Sequence, residues 1–93
     1  MPGSSANVST EVPDRYAEEL LAHLARKPLI ERRADTLIFR SGTVTVRAKG
    51  DRLVLRAEAD DSESLARLED VLAQQLIRFG RRAELTVTWQ PDD

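Results

Sequence analysis

Hydrophobic residues in this chain form two stretches with helical period on either side of a block with strand period. Between positions 62 and 79, Leu65, Leu68, Leu72, Leu76 and Phe79 fall within roughly 90° of a helical wheel, with Val71 beside them and Glu63, Arg67, Asp70 and Gln74 opposite. That spacing predicts an amphipathic helix from Ser62 to Phe79 whose leucine side faces a core. Asp60 or Asp61 can cap its first turn, Asp60 and Glu63 have the spacing of a capping box, and Gly80 can take the left-handed position that ends it. Beyond the glycine, Leu85, Val87 and Trp89 alternate with Glu84, Thr86, Thr88 and Gln90, the two-residue period of a half-buried strand.

A second helix is predicted from Asp14 to Lys27, where Tyr16, Ala17, Leu20, Leu21 and Leu24 lie within about 140° and Arg15, Glu18, Glu19, Ala22 and Arg26 lie outside. Thr10 is its expected N-cap, Pro13 fits the first turn, and Pro28 ends it. Between the helices, four short strands are expected at Leu29–Arg33, Thr36–Arg40, Thr43–Ala48 and Arg52–Ala59. Ala34-Asp35, Ser41-Gly42 and Lys49-Gly50-Asp51 form the reversals. Alternation points Leu37, Phe39, Val44, Val46, Ala48, Leu53, Leu55, Ala57 and Ala59 inward. A further short strand carrying Ala6, Val8 and Thr10 precedes the first helix.

The resulting order is β-α-β-β-β-β-α-β. Two helices with one apolar side each and a sheet with one apolar face imply an α+β fold. It is a two-layer sandwich of a mainly antiparallel sheet with both helices packed on one face. Residues 6–90 form the single domain, with 1–5 a disordered N-terminal tail and 91–93 a C-terminal tail. The opposite sheet face then presents Thr43, Thr45, Arg47, Arg52, Val54, Arg56, Glu58, Glu84, Thr86, Thr88 and Gln90 to water. The order of strands within the sheet stays open.

Composition narrows function mainly by exclusion. Ninety-three residues suit one domain, and the absence of cysteine removes disulfides, thiolate nucleophiles and cysteine-ligated metals. A net charge of −2 gives no basic footprint for nucleic acid. No apolar run approaches the roughly 20 residues that span a bilayer, and the first residues lack the pattern of a signal peptide, so a cytoplasmic location is expected.

His23, the only histidine, sits at the margin of the first helix's buried arc, a position usually taken by a packing residue. As a general base it would need a nucleophile and an orienting group, and the sequence offers neither. Asp60, Asp61 and Glu63 could hold a hard cation, but capping explains them and no glycine-turned calcium loop surrounds them. Arg78, Arg81 and Arg82 crowd the end of the second helix, where the helix dipole already favours cations and where they could also grip an anion. Arg47 and Arg56 share the polar sheet face. No metal or cofactor site is expected.

The segment Ser64-Leu65-Ala66-Arg67-Leu68-Glu69-Asp70-Val71-Leu72, followed by Leu76-Ile77-Arg78-Phe79 and Ala83-Glu84-Leu85-Thr86-Val87-Thr88-Trp89, resembles the small bacterial family DUF2218. Its members share an Arg-Leu-Gln-Asp-Val-Val helix, a His-Leu-x-Arg-Phe segment and a terminal strand ending in tryptophan. Arg15-Tyr16 through Leu20 and His23, and Asp51-Arg52-Leu53-Val54-Leu55, are similar to its other segments. The resemblance implies a domain of unknown function, found alone or attached to siderophore-interacting flavoproteins. The family often has histidine where Gln75 and Arg26 stand here, which leaves His23 as the one histidine of three and argues against a histidine metal site.

These readings give a non-enzymatic accessory or binding domain, and the family resemblance implies an association with siderophore-iron handling. Its candidate contacts with an anionic small ligand or a protein partner are His23, Gln75, Arg78, Arg81, Arg82, Arg47 and Arg56. A structural homodimerisation domain is the alternative, with monomer or homodimer left open, and a small enzyme using His23 is the weaker third reading. Neither nucleic acid nor a membrane is an expected partner.

Overall fold

In a computed structural model, described here for residues 2–79 and 87–91, the elements follow in the order β1 (Gly3–Ser9), α1 (Pro13–Ala25), β2 (Glu31–Arg33), β3 (Thr36–Phe39), β4 (Gly42–Lys49), β5 (Arg52–Ala59), α2 (Ser62–Phe79) and β6 (Trp89–Pro91). The strands form one sheet in the order β2-β3-β4-β5-β1-β6, with every adjacent pair antiparallel. Strands β2 to β5 are a meander. The amino-terminal strand then pairs along the far side of β5, so β1 separates β5 from β6, and α2 crosses over between those two parallel strands. Alternation inside each strand was readable from sequence; this insertion depends on which strands meet, and local pattern does not encode that.

Both helices cover the same sheet face. Ala17, Leu20, Leu21 and Leu24 of α1 and Leu68, Leu72 and Leu76 of α2 meet Ala6, Val8, Leu37, Val44, Val46, Leu53, Leu55, Ala57 and Ala59 of the sheet in one core. Seven of these leucines are fully buried, each contributing about 1.5–3 kcal/mol by removal from water. The thinnest dimension, 20 Å, is that of one helical layer on one sheet. Among the described residues, no helix is long and apolar enough to cross a membrane.

Several expectations need correction. The first strand begins at Gly3, inside the segment 1–5 assigned to a disordered tail. It is held there because Ser4 continues the inward alternation of Ala6 and Val8, and its buried hydroxyl donates to Glu69 Oε2 of α2 at 2.6 Å. Thr10 is not the cap of α1. Val12 occupies that position without a side-chain bond, Pro13 follows at the first helical position, and Thr10 Oγ1 instead accepts from the Val12 N–H at 3.2 Å.

At α2 the cap is Asp61, whose Oδ1 accepts from the Ser64 N–H at 2.7 Å. That bond holds the Asp61 carboxyl below its ordinary range. Glu63 closes no capping box and pairs with Arg67 at 2.8 Å. The strand expected from Leu29 starts only at Glu31, the strand expected from Thr43 runs from Gly42 to Lys49, and the final strand covers Trp89–Pro91, which places Pro91 in the sheet rather than in the tail assigned to 91–93. Gly80 and Glu84 to Thr86, including Leu85, lie outside the described residues, as does the side chain of Phe79.

Candidate functional site

The sheet face turned away from the helices carries the densest polar chemistry. Val54 lies near its centre on β5. Across to β4 it pairs with Arg47, flanked by the Thr45–Arg56 and Lys49–Arg52 pairs. Across to β1 it pairs with Asn7, flanked by Ser5 opposite Arg56 and Ser9 opposite Arg52. A half-buried valine thus has Arg52 and Arg56 before and after it on its own strand, Arg47 and Lys49 towards β4, and small hydrogen-bonding side chains towards β1. Thr45, Arg47, Lys49, Val54 and Arg56 enclose a depression of about 330 Å³.

The charges of this ring differ in how they are balanced. Arg47 Nε donates to Asp35 Oδ2 at 2.8 Å, which holds the Asp35 carboxyl below its ordinary range. Arg56 Nε donates to Glu58 Oε1 at 3.3 Å. Lys49 and Arg52 stand directly opposite each other at the end of the β4–β5 hairpin, and among the described residues no acid forms an ion pair with either. Like charges directly opposite on a sheet repel. A bound anion would relieve that repulsion, and Arg47 would offer its terminal nitrogens while Asp35 holds the guanidinium through Nε.

Arg47 and Arg56 are the two sequence-derived candidates that the fold brings together. His23 lies in the helical layer, half-buried, beside a groove formed with Glu19, Ala22 and Arg26. Gln75, also half-buried on α2, has a buried Oε1 with no hydrogen-bond partner among the described residues. Arg78 is exposed in the last turn of α2. Arg81 and Arg82 lie outside the described residues. The helical candidates are therefore separated from Arg47 and Arg56 by the thickness of the sheet.

Arg52 was placed on the polar sheet face without being singled out as a contact, and Lys49 was missed altogether, because it was assigned to the Lys49-Gly50-Asp51 reversal. The alternation Thr43, Thr45, Arg47 extended by one step would have found it. Arg32 was missed for a different reason: its bidentate contact with Glu18, at 3.1 and 2.9 Å, joins β2 to α1 across fourteen positions. This contact lowers the Glu18 pKa and raises that of Arg32. No local signal foretells such a pair.

Comparison with known proteins agrees with this architecture. The NMR structure of PA4090 from Pseudomonas aeruginosa superposes with a TM-score of 0.77 at 27% sequence identity, covering 97% of this chain and 96% of that one. Among curated proteins no relative matches. The family profile described as an uncharacterised protein conserved in bacteria, DUF2218, matches residues 5–90. With the match spanning both helices and reaching from β1 to β6, the chain belongs to the DUF2218 family.

Proposed function

We propose that this chain is a non-enzymatic binding domain that uses the ring around Val54 to hold an anionic small molecule. The observation that carries the reading is the Lys49–Arg52 pair, two cations opposed across a hairpin with no acid bridging them among the described residues. Val54 supplies an apolar floor, the cations supply charge, and Ser5, Asn7 and Thr45 supply hydrogen bonds. That combination suits a flat ligand with an apolar body and an anionic rim.

The siderophore-linked setting implied by the family resemblance makes an anionic ferric siderophore the first ligand to try, with flavin mononucleotide beside it. Amide chemical-shift mapping of the labelled protein against both is the test. Shifts clustered on Thr45, Arg47, Lys49, Arg52 and Val54 support the reading; an unperturbed sheet face with every ligand overturns it. A second reading, a homodimerising domain, is favoured by one separate feature, the outer edge of β2, which no strand covers among the described residues.

A further inference from the structure

We propose that β2 pairs antiparallel with β2 of a second copy of this chain, about a two-fold axis through Arg32, joining two six-stranded sheets edge to edge. The surface lies away from the Val54 ring and the inference does not depend on it. Strand β2 is one edge of the sheet and, among the described residues, pairs with β3 alone. The connection from Arg33 to Thr36 is a two-residue hairpin, so Arg33–Thr36 is the hydrogen-bonded pair that closes it and Arg32–Leu37 is the next, non-bonded pair. The N–H and C=O of Arg32 therefore point to the open edge.

The register follows from what is already occupied. On one side of Arg32, the Ile30 N–H donates to the Lys27 carbonyl at 3.2 Å. On the other, the Ala34 carbonyl accepts from Arg32 Nε at 3.0 Å. Among the described residues Arg32 is left with both backbone groups open to an edge partner, and two copies meeting there exchange two N–H···O bonds across the axis. In that register Glu31 stands opposite Arg33 of the second copy, and Arg33 opposite its Glu31.

Charge complementarity supports a second copy as the occupant. Glu31 and Arg33 lie on the same face of β2 and have opposite sign, so the strand is complementary to its own two-fold image at both positions. Each copy at present pairs these residues within itself, Arg33 Nε to Glu31 Oε1 at 3.2 Å, and both side chains are exposed. The exchanged pairs replace that contact by two across the axis. The like charge of Arg32 meeting Arg32 is offset because each guanidinium is held by its own Glu18.

Apolar surface at the same edge completes the match. Leu29 is 77% exposed, and with Glu31, Ile38, Phe39 and Arg40 it lines a hollow of about 360 Å³. The aliphatic stem of Arg33 from the second copy, lying across Glu31, reaches that hollow. Three-residue pairing makes a small interface, so association is weak and depends on concentration and salt.

The test is a charge swap read by sedimentation velocity from about 1 µM to about 1 mM, the range over which a small interface titrates. Wild-type protein should self-associate. Glu31→Arg and Arg33→Glu should each be folded and monomeric, and their equimolar mixture should associate, because the Glu31→Arg chain then faces two acids with two arginines. The double variant E31R/R33E should regain self-association.

A wild type that stays monomeric throughout, single reversals that still dimerise, or a mixture that stays monomeric overturns the proposal. Should either single variant fail to fold, the wild type alone decides. The Arg32 amide should exchange slowly in concentrated protein and rapidly on dilution, and exchange that ignores concentration rejects the edge contact.

Discussion

Replacing Gly42 by alanine should be among the most damaging single-methyl changes available to this fold. Gly42 opens β4 opposite Ala59, beneath Leu68 of α2. A Cβ there would overlap the Glu58 carbonyl oxygen and would lie 2.9 Å from Ala59 Cα and 3.0 Å from Leu68 Cδ1. Leu68 can change rotamer, but the other two obstacles are backbone atoms of the neighbouring central strand. Overpacking alone costs about 1–3 kcal/mol, and opening a ladder hydrogen bond adds about 1 kcal/mol, so a loss of roughly 3 kcal/mol follows. For a domain of this size that lowers Tm by roughly 12–24 °C.

Gly50 provides the control. Its φ of 59° makes alanine unfavourable, yet nothing lies within 4 Å of the added methyl, so the cost should be about 1–2 kcal/mol. Urea unfolding followed by far-UV circular dichroism and by Trp89 fluorescence measures both. A Gly42→Ala midpoint equal to wild type, or above that of Gly50→Ala, would refute the claim that close backbone approach fixes this position.

The opposite sign is predicted at Ala34, whose φ of 54° is a left-handed conformation in a tight hairpin. Ala34→Gly should stabilise by about 1 kcal/mol in the same urea assay, and a destabilised variant would contradict it. Acid should weaken the fold through Glu18, Asp35 and Asp61, all held below their ordinary values by donors that exist only in the folded state. The unfolded chain binds more protons there, so their stabilisation is present above about pH 4 and is lost as pH falls through the lower folded values. Urea midpoints should fall steadily below that pH, and Asp61→Asn should flatten the decline; a midpoint independent of pH in that window would count against these contacts.

Much of the fold was legible because the core is built from simple periods. The leucines of α2 are one stripe, and Leu53, Leu55, Ala57 and Ala59 are one face of a strand, so both helices and the central strands could be placed by counting. What escaped depended on partners distant in sequence. Ser4 looks like tail until Glu69 of α2 is known to receive its hydroxyl, and the position of β1 between β5 and β6 rests on pairing alone.

The candidate site divides in the same way. Arg47 and Arg56 follow from alternation, whereas their shared depression with Lys49 and the opposition of Lys49 to Arg52 require the β4–β5 register. His23 stood out in sequence for its chemistry alone. The fold places it in the helical layer, on the far side of the sheet from the cationic ring.

The cationic ring around Val54 is proposed as an anion site. Its most direct test compares the affinity of the wild type for an anionic ferric siderophore with that of Lys49→Glu and Arg52→Glu, in low and high salt, once circular dichroism shows the variants folded. Removing one charge-assisted contact and reversing its charge should weaken binding by at least about tenfold, the equivalent of about 1.4 kcal/mol, and added salt should weaken the wild type in the same direction. Equal affinity in all three proteins, with amide shifts gathered instead around His23 and Gln75, would contradict the claim and move the site to the helical layer.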